Sequence, residues 1–289
     1  MAKLEVVSRM AEIDGELKEV NIHKVTKRKN FRSEGVLENK LVKKVFDFAF
    51  DMSFGEKGKH RPTRSGGKEN RWKGQIFANA FQGKLAEFAV QEHFKKEKIF
   101  LNDPDIDVYG QGNWDSYDFI YSNGPKEYKI SIKSTKAYGQ LLLLETKDWN
   151  QSGEYLPNKK RGDRDYLYDF FILVRIKPSI ENIMKDERFL YCDRLITNDK
   201  LTKEEIIIEE KILLEKLFGI AEDEDDFQYE YDIPGVISID TLRYIIKENY
   251  ILPKDEFLGS IGTPMDAENY YIQVGDFKDI NQLIDKIKA

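Results

Sequence analysis

Cysteine is nearly absent: the 289 residues hold one, Cys192. One thiol makes neither an intramolecular disulfide nor a cysteine cage for zinc. Histidine is almost as scarce, and His23, His60 and His93 are scattered without the spacing of a metal-ligand pair. No apolar run approaches the ~18–20 residues that cross a bilayer. The opening "MAKLEVVSRMAEIDGELKEV" lacks the apolar core of a signal peptide, so a cytosolic protein is the expectation. The glycines of "GQGNWDSYDF" are not followed by a helix, which removes a phosphate-cradling loop. There is no internal repeat and no low-complexity linker. A single domain over residues 1–289 is the simplest organisation.

What the chain has in quantity is charge. Charged residues make up 34% of it, with a net charge of −6. The sign is unevenly spread: residues 1–74 carry about +7 and the remainder about −13. Net acidity therefore does not exclude an anionic partner for the basic N-terminal part.

Periodicity places the elements. "VLENKLVKKVFDFAFDM" (36–52) suits an amphipathic helix, and "QIFANAFQGKLAEFAVQEHFKKEKI" (75–99) is the clearest helix, with Gly83 marking a close packing or a small break. Short strands are expected around 117–122, 127–134 and 140–146, the first two joined at the Asn123-Gly124 turn. "YDFFILVRI" (168–176) is apolar enough to be a strand buried on both faces. Thr202 caps a helix over 202–220, and the acidic run that follows reads as a solvated loop. Residues 237–253 have a strand or helix pattern, 268–277 a last strand and 278–288 a closing helix. The fold class expected is α/β: a central mixed sheet flanked by helices, with a core at 75–180 and a helical, acidic insertion at 195–232.

"KISIKSTK" holds the chemistry. Alternation puts Ile130 and Ile132 on one face of a strand and Ser131 and Lys133 on the other. Across the hairpin, Asp118 comes near Lys133. Glu87 projects from the strongest helix. Two acids beside a lysine suit Mg²⁺, which takes oxygen ligands, polarises a phosphate and activates a water. The lysine then orients that water or stabilises charge developing on phosphorus.

"YDF", "SIK" twelve residues later and the helical "GKLAEF" (83–88) resemble the core of the PD-(D/E)xK nuclease superfamily. Within it the chain looks most like a type II restriction endonuclease, of the Ser-x-Lys variant. The resemblance covers roughly 75–180. It implies a restriction-endonuclease-like core and Mg²⁺-dependent hydrolysis of double-stranded DNA at a specific sequence. It also implies products with 5′-phosphate and 3′-hydroxyl ends, and a homodimer. Asp118 and Glu87 would hold the metal with the carbonyl of Ile132, and Lys133 would position the nucleophile. Ser131 stands where the family has an acid. Glu87 or Glu145 supplies the second carboxylate. Asp115 is the alternative to Asp118, which is preferred because it lies inside the strand.

Two basic loops suit DNA. Arg61, Arg64, Lys68, Arg71 and Lys73 in the 55–74 stretch match phosphate contacts. Asn158, Lys159, Lys160, Arg161 and Arg164 in 155–166 are residue types that read bases. A repair or modification-dependent nuclease of the same fold, a catalytically decayed DNA-binding protein and a protein-interaction factor are the competing readings.

Overall fold

A computed structural model describes residues 1–13, 15–55, 71–106, 118–160, 166–220 and 227–289. Along the chain the elements are β1 (Glu5–Ile13), β2 (Glu16–Lys24), β3 (Gly35–Val36), α1 (Asn39–Met52), α2 (Lys73–Lys96), β4 (Phe119–Asn123), β5 (Lys126–Lys136), β6 (Leu141–Glu145), α3 (Leu156–Lys160) and β7 (Phe170–Lys177). They continue with α4 (Ile180–Asp186), α5 (Lys203–Leu217), β8 (Glu230–Ser238), α6 (Ile239–Lys247), β9 (Ile251–Leu252), β10 (Phe257–Leu258), β11 (Asn269–Gln273) and α7 (Ile280–Lys288).

The apolar run of β7 decides the centre of the fold. Every residue from Phe170 to Ile176 is buried, which requires cover on both faces. It lies inside a five-stranded sheet of order β3-β8-β7-β5-β4. β5 runs parallel to β7, and the other neighbours are antiparallel. The protein is thus a mixed α/β structure.

Strand alternation sorts the sheet's two faces into two cores. Ile130, Ile132, Phe170, Ile172 and Val174 turn toward a helical layer built on α1, α2, α5 and α7. Phe171 and Leu173 turn the other way, onto β6, α6 and β11. β6, β11 and β9 form a small second sheet over that face.

The helical layer is held largely by aromatic rings. Phe77 and Phe81 of α2 lie 5.6 Å and 5.9 Å from Phe46 of α1. Phe218, just past α5, lies 5.4 Å and 5.6 Å from Phe77 and Phe81. These spacings suit edge-to-face and tilted packing. The segment expected as an insertion therefore contributes to the main core, and its last residues open β8. α2 runs unbroken through Gly83, where an added Cβ would meet nothing within 4 Å. That glycine marks neither a close approach nor a break.

Two other expectations shift. The hairpin register pairs Asn123 with Lys126, so its two loop residues are Gly124 and Pro125 rather than Asn123-Gly124. The stretch 237–253 divides into the end of β8, α6 and β9. β8 carries Pro234-Gly235 in its interior, where pairing with β7 shifts register. Gly235 has φ 145°, and a Cβ there would sit 2.2 Å from the Lys278 carbonyl oxygen. Only glycine fits.

Arg175 is the exception in β7, a fully buried cation. Its Nε donates to Asp232 Oδ1 at 2.7 Å and its Nη2 bonds the other carboxylate oxygen. The remaining donors reach the carbonyls of Lys29 and Asn30 at 2.8 Å and 2.9 Å. Asp232 also accepts from the Arg32 amide at 3.0 Å. The pair thereby pins residues 29–32 to the sheet. Asp232→Ala leaves the guanidinium buried and unpaired, and should cost about 3–5 kcal/mol in urea unfolding. Arg175→Lys should not restore wild-type stability, because an ammonium lacks the two-point contact. A loss under about 1 kcal/mol for Asp232→Ala would contradict this role.

The N-terminal hairpin forms a third sheet, β1-β2-β10. Asn21 Nδ2 donates to Glu256 at 2.9 Å, and His23 Nε2 bonds the other oxygen of the same carboxylate. Burial alone would raise the Glu256 carboxyl, but these two bonds outweigh it and hold it below its ordinary value of 4.5. A depressed folded pKa gives stability that is present above the unfolded pKa and lost as pH falls through the folded one. Glu256→Gln should flatten that part of the acid limb below about pH 4.5, read from urea midpoints across pH.

Candidate active site

The opening of β4 and the middle of β5 frame the candidate site. Asp118 immediately precedes β4, and the register Phe119–Ile130 sets it beside Ser131. Its Oδ2 accepts from the Ile132 amide at 2.5 Å and from the Ser131 hydroxyl at 3.2 Å. The carboxylate thus bridges the strands where β4 begins. Oδ1 makes no hydrogen bond among the described residues.

The Ile132 amide points to the β4 edge. In a strand, the amide and carbonyl of one residue face the same edge. The Ile132 carbonyl therefore opens on the side where Asp118 sits. Ile132 itself is buried against the helical layer, and its side chain takes no part.

Ser131 and Lys133 lie on the opposite face of β5, as alternation demands. Their β7 partners Phe171 and Leu173 belong to the core under the second sheet. Ser131 is 1% exposed, with its hydroxyl committed to Asp118. Lys133 is half-buried, and its ammonium has no hydrogen-bond or ion-pair partner among the described residues. Lysines nearby are held: Lys136 bonds Glu181 at 2.9 Å. Burial alone would lower the Lys136 ammonium, but Glu181 outweighs it and the group is raised.

The remaining predicted acids lie elsewhere. Glu87 is on α2, in the layer that covers the Ile130/Ile132 face, and bonds Lys84 at 2.7 Å. Lys84 in turn lies over the Phe48 ring of α1, which places this pair on the α1 flank. Glu145 ends β6, opposite Asn269, in the sheet that packs over the face carrying Ser131 and Lys133. It pairs with Lys147 at 2.8 Å. Among the described residues no three His, Cys, Asp or Glu side chains come together to hold a metal. Asp118, Glu87 and Glu145 are therefore not gathered into a three-carboxylate centre. Asp115 lies outside the described residues.

The donors at the β4–β5 edge nevertheless suit a hard cation. One carboxylate oxygen without a hydrogen-bond partner among the described residues and one main-chain carbonyl would give two oxygen ligands. Mg²⁺ commonly takes few protein oxygens and keeps several waters.

A further carboxylate, not singled out from the sequence, lies at the same end of the sheet. Asp169 precedes β7, and its Oδ2 accepts from the Lys129 amide at 2.8 Å. Its backbone amide also reaches the Lys129 carbonyl at 2.8 Å. Two acids, Asp118 and Asp169, thus take amides from opposite edges of β5. The signal was available: an aspartate directly before each neighbouring strand.

The basic stretches fare unevenly. Arg61, Arg64, Lys68, Arg161 and Arg164 lie outside the described residues. Lys73 opens α2, with its amide donating to Asp193 at 3.0 Å. Arg71 is half-buried just before that helix. The second stretch begins as one helical turn, α3, which closes at Lys160. Asn158 is turned inward there and is 3% exposed, so its amide is not presented to a duplex as expected for base reading. Lys159 bonds Glu154 at 2.7 Å and lies over the Tyr166 ring. That bond, followed by one from Asn150, holds the Glu154 carboxyl below its ordinary range.

Among the described residues, no helix is long and apolar enough to cross a membrane. No protein-family model, curated protein or solved structure matches this chain, so the geometry above carries the functional argument alone.

Proposed function

We propose that the protein is a Mg²⁺-dependent endonuclease with a restriction-endonuclease-like core, hydrolysing phosphodiesters of double-stranded DNA. The observation that carries this reading is the hydrogen-bonded step from Asp118 to Ser131 and Ile132. It brings a carboxylate oxygen, a main-chain carbonyl and the neighbouring lysine position to the end of one hairpin. A metal bound there would polarise the phosphate and acidify a water ligand.

This chain's own residues have separate tasks in that reading. Asp118 holds its outer oxygen toward the cation while the Ile132 amide and the Ser131 hydroxyl fix the inner one. Lys133, unpaired among the described residues and half-shielded, orients the attacking water and offsets negative charge as the bond to phosphorus forms. Ser131 stays neutral, so the site carries one negative charge fewer than an acid-x-Lys strand would give it. Glu145, in the layer over this face, is the better placed of the two proposed second acids. Sequence-specific cutting with 5′-phosphate and 3′-hydroxyl products, and a homodimer on a two-fold target, complete the reading.

A second reading has its own support. Ser131, standing where the resemblance puts an acid, favours a DNA-binding protein that no longer cleaves.

Unmethylated phage DNA, incubated with Mg²⁺, should give discrete fragments that disappear with EDTA. Lys133→Ala should lower the cleavage rate by about 10²–10³ while leaving DNA retention in a gel-shift assay intact. Wild-type protein that shifts DNA but never cuts it, methylated or not, would instead favour the binding protein. Cutting of methylated DNA alone would point to a modification-dependent enzyme.

A further inference from the structure

Among the described residues, the edge of β1 away from β2 is unpaired. β1 is the outer strand of its sheet, nine residues long. The direction of its backbone groups follows from its neighbour. The His23 carbonyl accepts from the Gly259 amide at 2.8 Å, so His23 faces away from β1. Val6 lies opposite His23 and is therefore in a non-hydrogen-bonded pair. Its own amide and carbonyl point outward, and by alternation so do those of Ser8, Met10 and Glu12. Among the described residues no backbone group bonds them.

Two of these four outward positions, Val6 and Met10, carry apolar side chains in solvent, while Ser8 and Glu12 are polar. Val6 is 52% exposed and Met10 58%, and both lie on the face that also carries Leu17, 70% exposed. A long, exposed edge with such residues is a template for another strand.

We propose that this edge pairs antiparallel with β1 of a second copy, about a two-fold axis through Ser8. That register is self-complementary. Ser8 meets Ser8 of the other copy, and Val6 meets Met10 twice, giving about six main-chain hydrogen bonds. Glu5 lies diagonal to Arg9 of the other copy on the opposite face, within cross-strand reach. An axis at Arg9 would set two guanidinium groups face to face. An axis at Val7 would set Met10 against Leu4, which is buried and whose amide is bound to the Tyr271 hydroxyl at 2.9 Å. The interface does not rest on the nuclease reading, since a protein without activity would pair the same way.

The test uses the full chain and no ligand. Light scattering after gel filtration should give a dimer for the wild type. Ser8→Pro removes an outward amide that the hairpin itself does not use, so it should yield a folded monomer. Met10→Arg, at an exposed position, should do the same. In a Cys192→Ser background, Ser8→Cys should form a dimer-linking disulfide on mild oxidation. Opposed residues of a hydrogen-bonded pair lie ~5.5 Å apart, within disulfide reach. Val6→Cys should not, because the two copies of residue 6 are offset by four residues, roughly 13 Å along the strand. A monomeric wild type would overturn the proposal. So would a dimer that survives both Ser8→Pro and Met10→Arg, or crosslinking at Val6→Cys and not at Ser8→Cys.

Discussion

The two-residue period of β5 is the constraint on which the rest depends. The strand lies between two cores of different make, one helical and one built on a second sheet. A slip of one residue would exchange the two faces. Ile130 and Ile132 would leave the phenylalanine-lined helical core, and Ser131 and Lys133 would enter it. Burying a lysine there without a partner is far costlier than exposing an isoleucine. The same register sets the Ile132 amide within 2.5 Å of Asp118. Packing of the sheet and assembly of the site are thus one decision, made by alternation in a single strand.

The Arg175–Asp232 pair works at a different level. It contributes little to the apolar count but commits residues 29–32 to the sheet through main-chain carbonyls and an amide. Those residues connect the N-terminal hairpin to β3. A hydrophobic pair in the same space could pack as well, yet it would offer no fixed donors to the crossing segment. The ion pair gives direction, where the aromatic cluster around Phe77 and Phe81 gives bulk cohesion.

Much of this was legible in the sequence, for physical reasons. β7 announced itself by an unbroken apolar run, α2 by its buried phenylalanines, and α5 by the Thr202 cap, whose hydroxyl accepts from the Glu205 amide at 3.2 Å. The face shared by Ser131 and Lys133 followed from strand geometry, and the structure pairs Asp118 with Ser131 as a hairpin would. Other parts were hidden. The β1–β2 hairpin has the Asp-Gly pair that favours a two-residue loop, but its strands alternate charge more than hydrophobicity. β8 was obscured by Pro234-Gly235 in its interior. Arg175 and Asp232 are 57 positions apart, a distance that no local pattern bridges. The surroundings of Glu87 and Asn158 were hidden for a common reason. Residue type suggested a role, but helix phase set Glu87 on the α1 flank and turned Asn158 inward.

The proposed function requires that the β4–β5 edge can hold a divalent cation between Asp118 and the Ile132 carbonyl. Mn²⁺ is the most direct probe, because its unpaired electrons broaden the amide resonances of residues close to it. Titrated into the isotope-labelled protein, it should selectively broaden Asp118, Ser131, Ile132 and Lys133, and Asp118→Asn should abolish that pattern. Broadening centred elsewhere, or unchanged in Asp118→Asn, would contradict the account.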